Sequence, residues 1–368
     1  MTQYLIIKIA LVFLGSLIFS ILINRIFLKF SKNLGIRNID EAAIRWASAH
    51  KPAFGGISFF ILFLLILSSY QIAFPLQNSP FNFELIGLIL AGSIGFLIGL
   101  ADDAFNTNPI LKLLGQTLCA LILISTGTFI EIFEQQWINY LITAVWVVGM
   151  MNSINMLDNM DAVATIASIF AFCSFIVVLL SNSAFSSIYF LMTIGMVGAL
   201  LGFLFFNWNP SKMYMGDTGS QFLGIILSAL SIKLLWNFGS PDIQLTSKQF
   251  LLPLLAFLVP ICDTTTVTIN RLAKGKSPFI GGKDHTTHHL SYLGLSDQSV
   301  ALIIAGISMI STVILAVCIS LENWSHLFTI IFSLYAIIVF LSLFLTTKVK
   351  VSHSKKSVSE KPQIDKPN

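Results

Sequence analysis

The sequence predicts an all-α polytopic integral membrane protein, and three observations carry that prediction. Of 368 residues, 55% are hydrophobic and only 10% are charged, with mean hydropathy +0.85. A soluble domain carries roughly 25% charged residues. Apolar runs long enough to span a bilayer as helices, about 17–25 residues each, begin near Leu5, Ala53, Leu85, Ile110, Trp137, Ala162, Phe185, Gln221, Phe250, Val300 and Leu327, eleven in all. When those runs alternate across the membrane, all 21 basic residues except Lys8, Lys233 and Lys248 fall on one side. The positive-inside rule makes that side cytoplasmic, with the N-terminus outside and the C-terminus inside, as an odd number of spans requires.

Residues 1–347 therefore form one membrane-embedded domain with cytoplasmic loops, and 348–368 a disordered basic cytoplasmic tail facing an anionic leaflet. The first run shows no small-residue cleavage site and reads as a retained helix. Cys119, Cys173, Cys262 and Cys318 all lie inside apolar runs without metal or redox spacing, so they are core residues.

The polar material concentrates in the cytoplasmic loops. The first ends in His50-Lys51-Pro52-Ala53-Phe54-Gly55-Gly56, where Pro and paired Gly predict a bent approach and close backbone packing. The third helix, from Glu84 to Ala101, delivers Asp102 and Asp103 to the cytoplasmic edge, and the fourth re-enters with Lys112 and Gln116. The fifth ends in Asn152-Ser-Ile-Asn155-Met-Leu-Asp158-Asn-Met-Asp161. If helical throughout, it places Asn155, Asp158 and Asp161 on one face. Between the seventh and eighth helices stands Asn207-Trp-Asn-Pro-Ser-Lys-Met-Tyr-Met-Gly-Asp217-Thr-Gly-Ser220. Pro210 blocks the incoming helix, and Thr218 and Ser220 are expected to cap the outgoing one. Asp217 then sits by a helix N-terminus, which favours anions. The ninth helix carries Asp263 and leaves the membrane at Arg271. The loop after it holds Lys274, Lys276, Lys283, Asp284, His285, His288 and His289.

Asp102, Asp103, Asp158, Asp161, Asp217 and Asp284 thus gather at one face, with Asp263 about two to three turns inside the ninth helix. Each alone reads as a solvated helix end or polar cap, and loop lysines alone as a topology signal. Together they imply a site, because like charges at a low-dielectric boundary repel unless something positive joins them. All-oxygen ligands suit Mg²⁺ or Mn²⁺, with substrate phosphates completing the shell. Lys51, Lys112, Lys212, Arg271, Lys274, Lys276 and Lys283 supply charge for phosphates. The three histidines have no nearby Cys or fourth ligand for zinc. The pattern points to phosphoryl chemistry on a nucleotide-linked donor, with an acceptor from the bilayer. No nucleic acid is expected as a partner. The rival reading is an ion- or proton-coupled transporter, but transporters place coupling residues near the midplane rather than at one edge.

These motifs resemble the polyprenyl-phosphate N-acetylhexosamine-1-phosphate transferases, the group containing WecA, TagO and the more distant MraY. The likeness runs from His50 to about Leu295. It rests on Gly-Leu-Ala-Asp102-Asp103, Asn155-Met-Leu-Asp158-Asn-Met-Asp161, Asn207 through Gly-Asp217-Thr-Gly-Ser220, and Asp263 to Arg271 followed by the His-rich loop. That loop, Ser277 to Leu290, is closer to the WecA/TagO branch. The resemblance implies attack of undecaprenyl phosphate on the β-phosphorus of a UDP-N-acetylhexosamine, most simply UDP-GlcNAc, at the cytoplasmic face of a bacterial inner membrane. It assigns Mg²⁺ to Asp217, with Asn207 near the metal or nucleotide. It gives Asp102 and Asp103 to the lipid phosphate, and Asp158 and Asp161 to metal or substrate. Asn155, Asp263, Arg271, His285, His288 and His289 would bind substrate, Lys112 is the basic residue after the Asp pair, and a homodimer is expected. The first loop departs from the family pattern: Asn38-Ile-Asp-Glu-Ala-Ala-Ile-Arg45 replaces an Asp-x-Pro-Asn-x-Arg-Lys-x-His run.

Overall fold

The structure is a computed structural model that describes residues 3–31, 51–73, 82–239, 246–277 and 281–349. The atypical part of the first loop and nearly all of the basic tail lie outside the described residues. The elements are α1 (Gln3–Ser31), α2 (Gly55–Ala73), α3 (Phe83–Phe105), α4 (Pro109–Ser125), α5 (Gln136–Leu157), α6 (Val163–Ser181), α7 (Ile188–Asn207) and α8 (Gly216–Ser231). The last of these runs on as a π-helical turn, Ile232–Trp236. After it come α9 (Thr246–Ala256), α10 (Leu258–Ala273), α11 (Thr286–Tyr292), α12 (Asp297–Ser320) and α13 (His326–Thr346).

Among the described residues, eight helices are long and apolar enough to cross a membrane, and the bent pair α9–α10 makes a ninth candidate. The remaining two apolar runs are the shorter helices α2 and α4. The protein is therefore an all-α polytopic membrane protein, and every apolar run singled out in the sequence is helical.

Two expectations about continuity are corrected. The run beginning near Phe250 is not one straight helix: it breaks at Phe257, with α9 and α10 bent by 84°. Pro260 falls in the first turn of α10, where a missing N–H costs no intrahelical bond. The fifth helix stops at Leu157, with Asp158 as its C-cap and Ala162 left-handed at φ 69°. Asp161 therefore leaves the face it was expected to share with Asn155.

At the centre stands α8, almost wholly buried among α2, α3, α5 and α6. Its approach to α2 and α3 depends on missing side chains. A Cβ on Gly56 would collide with the Gly219 backbone, and one on Gly99 with the Asp217 carbonyl. Two hydrogen bonds, Gly55 N–H to the Tyr214 carbonyl and Gly56 N–H to that of Met215, fix the same contact. At the far end of the α3–α8 pair, Lys233 in the π-helical turn forms an ion pair with Glu84. Large apolar side chains on α1, α4, α12 and α13, among them Leu11, Leu111, Leu302 and Ile338, point outward, as helices bordering lipid require.

Candidate active site

The corner between α3 and α4 is built by its caps. Asn106 ends α3 in a left-handed conformation at φ 51°. The Asn108 side chain accepts the Ile110 N–H, and Pro109 opens α4. The chain reverses so tightly that Lys112 returns beside Asp102, its Nζ donating to Asp102 Oδ2 at 2.8 Å. The other Asp102 oxygen accepts from the Thr107 N–H at 2.9 Å and hydroxyl at 2.6 Å.

Lys112 Nζ also donates to Asp217 Oδ2 at 3.2 Å and to Asn155 Oδ1 at 3.3 Å. Asn155 Nδ2 completes the loop, donating to Asp217 Oδ1 and to Ser220 Oγ, both at 2.8 Å. One ammonium therefore joins side chains from α3, α5 and α8.

Asp103 points the other way, into the start of α8. It accepts the Asp217 N–H at 3.1 Å, the Thr218 N–H at 2.8 Å and the Thr218 hydroxyl at 2.7 Å. The expected cap from Thr218 or Ser220 is not what forms. The N-cap position is Met215, which offers no side-chain acceptor, so the carboxylate comes from another helix. Asp217 does lie in the first turn of α8, as expected. Three carboxylates against one ammonium leave an excess of negative charge here, moderated by the helix dipole.

Among the described residues, no group of three or more His, Cys, Asp or Glu side chains is close enough to hold an ion alone. Asp102, Asp217 and the Asn155 carbonyl offer a smaller set made only of oxygens, each of which the Lys112 ammonium contacts here, so an ion bound by them would displace that ammonium. The set fits Mg²⁺, which commonly takes one or two carboxylates, keeps waters and fills its octahedron from substrate phosphates.

A second group surrounds the loop between α7 and α8. Asp161 accepts the Ser211 N–H at 3.0 Å, the Ser211 hydroxyl at 2.7 Å and Asn209 Nδ2 at 3.0 Å. Lys51 Nζ lies 3.8 Å from the same carboxylate and donates to Ser211 Oγ at 3.0 Å. Asn207, buried, accepts the Ala162 N–H and the Thr165 hydroxyl and donates to the Met213 carbonyl. Asp161 and Asn207 hold the loop that delivers Asp217. Half-buried Asp158 is the C-cap residue of α5, at the start of the turn that leads to Asp161.

The third group joins α10 to α11. Asp263 is 1% exposed, with Oδ2 2.7 Å from His285 Nδ1, and Oδ1 accepts the Thr286 N–H and hydroxyl at 2.8 and 2.7 Å. It orients a histidine across 22 residues of chain. Arg271 grips Asp284 with two parallel bonds, at 2.8 and 2.6 Å. Burial tends to raise the Asp284 pKa, but hydrogen bonding and charge from Arg271 hold it below the usual value. His288 packs edge-on against His285, ring centroids 5.3 Å apart. Burial, then the neighbouring His285 charge, pushes its pKa down to about 4, so it stays neutral at ordinary pH. Burial lowers that of His289 as well. The Thr287 hydroxyl donates to Asn159 Oδ1 at 2.7 Å, docking α11 on the turn that holds Asp158.

The sequence-predicted residues thus fall into three groups, namely Asp102, Asp103, Lys112, Asn155 and Asp217; Asp161 and Asn207; and Asp263, Arg271, His285, His288 and His289; Asp158 is placed separately, as the C-cap of α5. Sequence reasoning missed Thr107, Asn159 and Ser211. All are uncharged, and their signal is position alone, within a few residues of an acid at a membrane edge.

The sequence profile of glycosyl transferase family 4 matches residues 85–235. A relative from Bacillus subtilis (strain 168), a probable undecaprenyl-phosphate N-acetylglucosaminyl 1-phosphate transferase, is 29% identical over 92% of this chain and 91% of its own. A decaprenyl-phosphate N-acetylglucosaminephosphotransferase from Mycolicibacterium smegmatis is 26% identical, covering 69% of this chain and 68% of its own. A phospho-N-acetylmuramoyl-pentapeptide-transferase from Streptococcus pneumoniae is 30% identical over 68% of this chain and 77% of its own.

Proposed function

The chain belongs to glycosyl transferase family 4, and from that premise we propose that it transfers GlcNAc 1-phosphate from UDP-GlcNAc to undecaprenyl phosphate. In this reaction an oxygen of the lipid phosphate bonds to the β-phosphorus of the donor, and the bond from that phosphorus to the α–β bridging oxygen breaks. UMP departs with the electron pair, and undecaprenyl-diphosphate-GlcNAc stays in the bilayer. The sugar is chosen on the Bacillus subtilis relative, matched over nearly its whole length and named for GlcNAc. The family gives the transporter reading no support.

The observation that carries the proposal is the Lys112 ammonium, shared by Asp102 and Asp217 at the start of α8. Mg²⁺, or Mn²⁺ in its place, would be held by Asp217 with Asp102 and Asn155, and when bound it supplies charge neutralisation for the donor diphosphate. Asp102 orients the lipid phosphate, and Lys112 meets the charge that develops on the departing phosphate. Arg271, fixed by Asp284, and His285, fixed by Asp263, present positive and donor groups to the diphosphate and sugar. His288, kept neutral by burial, can donate or accept a hydrogen bond without adding charge. Asp158, at the C-cap of α5, contacts donor or metal. Holding a bilayer-bound nucleophile in line with a bound donor provides the orientation part of catalysis. By the positive-inside rule, this site faces the cytoplasm of a bacterial inner membrane.

The test is release of UMP from UDP-GlcNAc by purified protein with undecaprenyl phosphate, with and without Mg²⁺. Lipid- and metal-dependent release establishes the reaction. Silence with UDP-GlcNAc but release from UDP-MurNAc-pentapeptide would replace the donor, and silence with every UDP-hexosamine would overturn the proposal.

A further inference from the structure

One helical turn deeper into the membrane than Lys112, Asn155 and Asp217 lies a second polar layer on the same three helices. Gln116 follows Lys112 by four residues on α4, Asn152 precedes Asn155 by three on α5, and Gln221 follows Asp217 by four on α8. Spacings of three and four place each of them directly beneath its partner.

Gln116 bonds to both of the other amides. Gln116 Nε2 donates to Asn152 Oδ1 at 3.2 Å while Asn152 Nδ2 donates back to Gln116 Oε1 at 2.8 Å. Gln116 Nε2 also reaches Gln221 Oε1 at 3.0 Å, and Asn152 Nδ2 the Val148 carbonyl at 2.9 Å. Gln116 is 1% exposed and Gln221 fully buried. Among the described residues, Gln221 Nε2 has no acceptor. Buried amides in a span are costly, and a partly satisfied network more so than an apolar core. Leucines at these positions would hold the helices together without that cost.

We infer that Gln116, Asn152 and Gln221 are positioning residues for the transfer reaction: they set the register of α4, α5 and α8 so that Lys112, Asn155 and Asp217 meet. This rests on the proposed reaction. Leucine can slide against leucine, whereas a reciprocal amide pair bonds at one offset only. A slip of α4 would carry Lys112 away from Asp217, from which it is now 3.2 Å. The amide layer therefore acts through Lys112 and touches no substrate.

The experiment uses the full chain in detergent, with Gln116→Leu, Gln221→Leu, Gln116→Asn, and Gln116→Asn combined with Asn152→Gln. Turnover is measured as UMP release, and Lys112 acylation by an amine reagent is followed by mass spectrometry. The leucine variants and Gln116→Asn are expected to lose kcat by on the order of 10²-fold with KM for UDP-GlcNAc little changed. Their Lys112 should acylate faster. The double variant preserves the combined reach of the amide pair and should recover both readouts. Wild-type kcat and acylation rate in all single variants would overturn the inference. If the leucine variants fail to fold, the Asn variant and its rescue still decide. A wild type silent with every donor would sink the proposed reaction instead, and Lys112 acylation would still decide the role of the amides.

Discussion

Asp103 caps a helix through Thr218, a residue 115 positions along the chain: its Oδ2 accepts the Thr218 N–H at 2.8 Å and the Thr218 hydroxyl at 2.7 Å. The carboxylate expected beside the lipid phosphate is therefore bound to the start of α8. A cap deleted to Ala costs about 0.5–2 kcal/mol. Asp103→Ala should lower the melting temperature, and Asp103→Asn, which keeps one acceptor oxygen where both Asp103 oxygens accept N–H groups, should fall between Ala and wild type. Equal melting of Asp103→Ala and wild type would refute the capping role.

Lys112 is the counter-charge for two carboxylates. In Lys112→Met, Asp102 and Asp217 face each other unneutralised, so both stability and turnover should fall. Lys112→Arg keeps the counter-charge and should hold melting near wild type, while its displaced, forked head group should lower turnover by on the order of 10²-fold. Wild-type turnover in Lys112→Arg would show that Lys112 acts only as a structural counter-ion.

Asp217→Asn preserves the shape and leaves one oxygen for Lys112 and an amide toward Asn155. The fold should survive. UMP release should drop by on the order of 10²-fold or more, and Mn²⁺ binding, read by electron paramagnetic resonance without donor, should weaken. Unchanged Mn²⁺ binding would take the metal away from Asp217.

The Asp161 carboxylate holds the α7–α8 loop through Ser211 and Asn209. Asp161→Ala should release that loop and speed tryptic cleavage after Lys212, which is exposed. Cleavage at the wild-type rate would mean that Asn207 alone secures the loop.

The His-rich segment should be acid-labile. Burial holds His288 near 4, below its ordinary 6.5, so the folded state binds this proton less readily than the unfolded chain. Its stabilising contribution is complete above pH 6.5 and declines as pH falls toward 4. His289 acts in the same direction. Asp284, held below 3.8 by Arg271, adds a further loss only in stronger acid. Melting measured from pH 7 to pH 5 should decline less steeply in His288→Asn than in wild type. Equal slopes would place the titrating group elsewhere.

The helices, and the edge at which the acids collect, could be read in one dimension. Apolar runs are long because a bilayer is thick, and Asp102, Asp158 and Asp217 stand at their ends because an ion inside hydrocarbon is expensive. The Asn155–Asp217 pairing could not be read that way, nor could the diversion of Asp161 to Ser211. Both depend on where separate helices meet.

By itself the sequence determined an all-α membrane protein, eleven apolar runs, and one polar face bearing the family's acidic and histidine motifs. Hydropathy and charge are local properties, and each residue carries its own. Tertiary structure alone decided that Asp103 serves α8, that Asp263 serves His285, that α9 and α10 break at 84°, and that Lys112 sits among Asp102, Asn155 and Asp217. Those outcomes follow from packing. With no Cβ on Gly56 or Gly99, α8 comes within hydrogen-bonding reach of its neighbours. Hydrogen bonds act over about 3 Å, so small differences in helix approach choose each carboxylate's partner.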